Sequence, residues 1–185
     1  GLLPGHTADS EALENAARSP VLLVDGLEDP VYIESIELFF HNGLYFVRSR
    51  SKAGAEGVAV ASERAQYLHP LLKQLIVPYF IGKDARKLEA LLEEAYVHQN
   101  NYKPFGLALW CCISWVEASL LDMLGKIARK PLGDLLGGVI RKEIPYYVAS
   151  GNRETTPEEE VEILQQRMEE TGAKAVKFKA GGRMS

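Results

Sequence analysis

The sequence has little cysteine: two residues in 185, Cys111 and Cys112, adjacent in an apolar segment. Adjacent thiols cannot form an ordinary intrachain framework, so a disulfide-stapled secreted domain is excluded. As buried free thiols they fit a reducing compartment, and a cytoplasmic location is the expectation. An excess of one charge is also lacking, with 21 Lys+Arg against 25 Asp+Glu, a formal net charge of -4 and a pI near 5.6. That balance leaves no basic footprint, so no nucleic-acid partner is expected. No apolar run reaches the roughly 18–20 residues of a membrane span, so no membrane is expected either. The length is too short for a complete (β/α)8 barrel, which typically takes about 250 residues. What is present, 46% hydrophobic and 25% charged residues, describes a globular chain of one domain, or one domain and part of another.

Residues 1–30 read as an N-terminal extension of mixed character. A short helix fits 12–17, and Val21, Leu22, Leu23 and Val24 fit a short strand or a docking segment. From Val31 the pattern turns to β. Apolar residues alternate through 31–40, and Asn42-Gly43 then gives the strongest short hairpin signal. Residues 44–47 form the returning strand, and Val58, Ala59 and Val60 a third after a turn over 54–57. The expectation is an antiparallel meander.

Helical signals follow. A helix is expected over 68–77, interrupted at Pro70 and closed before Pro78. Asp84 can cap another running to about Val97, with Glu89, Glu93 and Glu94 on its wet side. A long helix is expected over 107–129. Leu109, Ile113, Val116, Leu120, Leu124 and Ile127 step along it by three or four, and Trp110 and Trp115 widen the stripe as core residues. Pro131 stops it, and a helical turn over 132–136 ends at Gly137-Gly138.

Past Arg141 the period changes again. Residues 144–149 read as a short buried-type strand. Thr156-Pro157-Glu158-Glu159 is a capping box with proline at the first helical position, opening a helix to about Glu170 that ends at Gly172. Residues 175–180 are a second strand. Strand, helix and strand at this spacing make a βα unit feeding a parallel strand. Domain boundaries of 31–140 and 141–185 follow.

Lys177 and Lys179 are the most informative side chains. Two apart on a strand, they share a face, while Val176, Phe178 and Ala180 take the other. Lysines on a strand buried on both faces are costly unless their face lines a polar cavity. In such a cavity a lysine tuned toward neutrality is a general base, and its cationic neighbour stabilises a developing oxyanion. The competing reading is a solvated edge strand protected by lysine. Ser150 and Asn152, at the C-terminal end of the first of these strands, stand where α/β folds place ligand contacts. The four histidines are scattered with no metal spacing, and Glu117 and Asp122 read as structural hydrogen-bonding groups.

Residues Val116-Glu117-Ala118-Ser119-Leu120-Leu121-Asp122-Met123-Leu124-Gly125-Lys126, continuing through Lys130-Pro131-Leu132 to Leu135-Leu136-Gly137-Gly138, resemble the helix closing the capping domain of the enolase superfamily. The resemblance is closest to the mandelate racemase/muconate lactonizing enzyme subgroup and covers residues 31–185. It implies an α+β capping domain, an antiparallel meander plus helical bundle, followed by the start of a modified (β/α) TIM-type barrel. Lys179 then resembles the base that moves a proton α to a carboxylate, and Lys177 the cation that neutralises the enolate. The resemblance also implies Mg²⁺, with ligands expected downstream of Ser185, a small carboxylate substrate and a homo-oligomer. The chain is expected to be a piece of a longer protein and to be inactive alone. Within the resemblance an acid-sugar dehydratase is favoured over a racemase, epimerase or cycloisomerase. A non-catalytic binding or oligomerisation module with a degenerate barrel is the reading from another class.

Overall fold

A computed structural model describes residues 10–99, 105–151 and 154–178. The chain divides into two compact units, Gly1–Val139 and Ile140–Ser185.

In the first unit, strands β1 (Ile33–His41), β2 (Leu44–Ser51) and β3 (Glu56–Ala61) form the expected meander in the order β1-β2-β3. Asn42 and Gly43 both take positive φ, 48° and 80°, which closes the hairpin in two residues. The alternation in β1 slips once. Ile33 lies opposite Ser51 and Ser35 opposite Arg50, so Glu34 has no cross-strand partner and forms a bulge. The slip allows Val31 and Ile33 on one side of it, and Ile36 on the other, all to be buried.

The inner face of the sheet packs on α5 (Leu107–Ala128), whose side chains Leu109, Ile113, Val116, Leu120 and Leu124 are buried as expected. The approach is close at Gly57, where a Cβ would overlap the Ser119 carbonyl and the Met123 amide nitrogen. Beside this contact the Ser49 and Ser119 hydroxyls meet at 2.6 Å, each buried and each with a partner. α5 is long and apolar enough to cross a membrane by length and composition, a test that a buried core helix also meets. Here its apolar stripe is buried against the sheet instead. Trp115 is core, but Trp110 is 46% exposed and stacks on Tyr96 with ring centroids 5.0 Å apart. Arg129 ends α5 in the left-handed conformation, so the helix closes just before Pro131. The turn α6 (Leu132–Leu135) follows.

The helix expected over 68–77 is longer than the prolines suggested. α2 (Ala65–Leu71) runs on through a π-helical turn, Leu72–Ile76, into α3 (Val77–Phe80). Pro70 lacks the N–H that would reach Gln66 O, and His69 Nδ1 supplies a substitute at 3.1 Å. Val77 N–H donates five residues back to Leu72 O, so the widened turn falls directly before Pro78. Both prolines are thereby absorbed.

Asp84 caps the next helix as expected. Its carboxylate accepts from Arg86 N at 3.1 Å ahead of a short 3₁₀ turn, Ala85–Lys87, and α4 (Leu88–Val97). It also accepts from Val31 N at 3.0 Å and from the Arg86 guanidinium at 2.8 Å. Burial opposes the charged form of Asp84, and these bonds outweigh it, holding the carboxyl below its usual range. Arg86 reaches onward to the carbonyls of Leu27 and Glu28. Glu89 is more than a solvated residue, because it accepts from Val21 N at 2.6 Å and Leu22 N at 2.7 Å. Residues 21–24 therefore form a docking segment, with Leu22 and Leu27 in the core. Ahead of it α1 (Ser10–Arg18) buries none of its side chains.

The second unit is a parallel β–α–β arrangement: β4 (Val148–Ala149), α7 (Pro157–Thr171) and β5 (Val176–Lys177). Thr156 and Glu159 complete the capping box, and Gly172 closes α7 at φ 70°. Val148, Leu164 and Ala173 make a small core with Met168 against it. Residues 144–147 do not match a buried-type strand, since Ile144, Tyr146 and Tyr147 are exposed and the ladder begins only at Val148.

Candidate active site

The candidate site is built on β4 and β5. Val148 pairs with Val176 and Ala149 with Lys177, and Val148 N donates to Ala175 O at 3.1 Å. Side chains alternate across this ladder. Val148 faces α7 with Leu164, so the same face receives Tyr146 and Ser150. Tyr146 confirms it, because its hydroxyl donates to the Thr171 carbonyl at the end of α7. Tyr147, Ala149 and Lys177 take the opposite face.

Ser150 is 6% exposed, and its amide donates to the Lys177 carbonyl at 2.8 Å. The end of β4 is thus tied to the backbone that carries Lys177, while the two side chains leave the sheet on opposite faces. The Lys177 side chain is exposed, with Nζ 5.9 Å from the Tyr147 ring centroid. That lies at the outer limit of a cation–π contact. Lys179 and Asn152 fall outside the described residues. Two groups escaped the sequence reading. Tyr147 was readable, since its parity with Ala149 puts it on the lysine face. Arg167 was not: it comes from the far end of α7 to donate to Ala149 O at 2.9 Å and lies against Gly151.

The residues of the capping-domain resemblance do structural work. Asp122 accepts from Val58 N at 2.8 Å and Lys126 Nζ at 2.7 Å, pinning α5 to β3. Burial opposes its ionisation, but these bonds leave its carboxyl below the usual range. Glu117 is half-buried, and burial pushes its carboxyl up. Gly137 and Gly138 both hold positive φ, and Gly138 N donates to Gly133 O at 2.8 Å. Cys112 offers no nucleophile, because burial pushes its thiol up to about 12. Among the described residues no group of three His, Cys, Asp or Glu side chains is placed to hold a metal ion.

No family model matches the chain. Individual proteins do. A D-galactonate dehydratase family member from Enterococcus gallinarum is 29% identical over 126 residues, 68% of this chain and 30% of its own length. A D-mannonate dehydratase from a Sphingomonas species is 29% identical over 147 residues, 80% of this chain and 33% of its own. Among solved structures, a candidate racemase from Roseobacter denitrificans is 29% identical with a TM-score of 0.72, over 82% of this chain and 41% of that one. A magnesium-bound mandelate racemase/muconate lactonizing protein from Paracoccus denitrificans, 24% identical, gives 0.68 over 83% and 43%. An enolase from Pantoea ananatis with bound D-gluconate and magnesium, also 24% identical, gives 0.66 over 80% and 36%. The chain therefore spans about a third of the length of these curated relatives. In sequence the chain is thus similar to acid-sugar dehydratases of the enolase superfamily, and its fold is similar to that of a solved racemase-type protein. Its structural neighbours are mandelate racemase/muconate lactonizing proteins, whose fold it shares over about 83% of its length.

Proposed function

We propose that the protein carrying this chain removes a proton α to a carboxylate and expels the β-hydroxyl, as an acid-sugar dehydratase. The observation that carries this reading is the position of Lys177 on the β5 face turned away from α7. Galactonate and mannonate dehydratases among the relatives support the substrate class. Lys179 follows Lys177 two positions on in the sequence. Lys179 is assigned as the base, receiving the α-proton on Nζ. Lys177 is assigned as the cation that stabilises the enolate oxygen. The β-hydroxyl leaves as water with a proton, and the resulting enol becomes a 2-keto acid.

Magnesium in neighbouring structures supports a metal-assisted enolate. The described residues do not fit a site for the ion, so no step here is routed through it. The start of a modified barrel, a homo-oligomer and a cytoplasmic location remain parts of the same proposal.

The test is exchange of the α-proton for deuterium in the whole protein, with an acid sugar and added Mg²⁺. Lys179→Ala should slow exchange by about 10²–10⁴-fold, the usual contribution of a general base. Undiminished exchange in that variant removes Lys179 from the role. Exchange without a keto-acid product would move the assignment from dehydration to racemisation.

A further inference from the structure

A cavity of about 360 Å³ opens between β1 and the helix that contains the π turn. Its walls are aliphatic: Ile36 and Leu38 from the strand, Leu72 and Val77 from the helix. Its polar groups are His69, Lys73 and Glu37. Glu37 is already engaged, with Arg48 Nη2 at 2.7 Å. Lys73 makes no ion pair among the described residues. His69 and Lys73 are four apart on one helix face, so both cationic or donor groups serve the same rim. Since Gln66 O can only accept, the Nδ1 of His69 at 3.1 Å must carry its proton. The π turn widens the helix along this wall, and such turns recur at functional sites.

An aliphatic interior with one unpaired ammonium at the mouth matches an amphipathic anion better than a sugar. Sugars would need polar groups on several walls, and Ile36, Leu38, Leu72 and Val77 offer no polar side chain. We propose that this cavity binds a short aliphatic monocarboxylate, its chain against Ile36, Leu38, Leu72 and Val77 and its carboxylate on Lys73 Nζ. This site belongs to the first unit and does not depend on the function proposed above.

The test is a calorimetric titration of the protein with hexanoate, set against hexan-1-ol and hexylamine. Hexanoate should bind roughly tenfold more tightly than hexan-1-ol, the usual advantage of a charge-assisted bond, and hexylamine should bind more weakly than either. Lys73→Met should bring hexanoate down to the affinity of hexan-1-ol without moving the thermal midpoint. Val77→Phe should abolish binding of both by filling the cavity. Equal affinity for hexanoate and hexan-1-ol would overturn the carboxylate assignment. Hexanoate binding unchanged in both variants would place it elsewhere, and no saturable binding would dismiss the site.

Discussion

In the first unit Ile33, Phe80, Leu109, Leu120 and Leu124 are closed off from solvent, and the bonds of Asp84, Asp122 and Glu89 tie distant segments together. In the second, Val148, Leu164 and Ala173 are the buried apolar residues among those described, and Ile140, Ile144, Tyr147 and Phe178 lie open. Stability and the candidate chemistry are thus carried by different stretches of sequence. Damage to the first should appear as unfolding. Damage to the second should appear as local disorder around Lys177.

The most disruptive change should be Gly57→Val. Its side chain has no room against Ser119 and Met123, and we expect a loss of about 3 kcal/mol or more in urea unfolding followed by Trp115 fluorescence. A loss below about 1 kcal/mol would mean that α5 is not seated on β3 as described. Next comes Asp84→Asn, which removes a charged acceptor from Arg86 and Val31 and should cost about 2 kcal/mol near neutral pH. Because the Asp84 carboxyl is held below its usual range, its stabilisation is present above about pH 4. It is lost as pH falls through the lower folded value, so the variant and the parent should converge in acid. A difference that persists there would assign the effect to packing.

Thr156→Ala should cost about 1 kcal/mol and act only on α7. Faster amide exchange in its first turn, with the urea transition of the first unit unmoved, would sharpen the separation of the two units. A shift in both would break it. The smallest effect belongs to Tyr147→Leu, about 0.5 kcal/mol, read as a change in the NMR shifts of the Lys177 side chain. Unchanged shifts would leave Lys177 independent of the ring.

The local elements were legible where the chemistry was local. Asn42-Gly43, the Asp84 cap and the capping box from Thr156 to Glu159 each carry their partner within a few residues. The prolines misled because their compensation lies elsewhere, in the His69 ring and a π turn that no periodicity announces. Trp110 misled because a helical stripe does not say how wide the covering surface is; Tyr96 covers one face of the ring and leaves the rest wet. At the candidate site the spacing of Lys177 and Lys179 was visible, since period two is a property of any strand. The side on which Ser150 falls was not, because only the packing of Val148 on Leu164 orients the sheet.

The bulge at Glu34 also governs how this strand can evolve. It works as a reading-frame correction, with one uncounted residue bringing two hydrophobic phrases, Val31 with Ile33 and Ile36 with Leu38, onto the same side. Deletion of Glu34 would leave the hairpin and its partner pairs in place yet turn Val31 and Ile33 outward. Val31 N would then be drawn off Asp84 and the docking segment off the core. A length change that looks harmless in an exposed residue would be read by every residue before it.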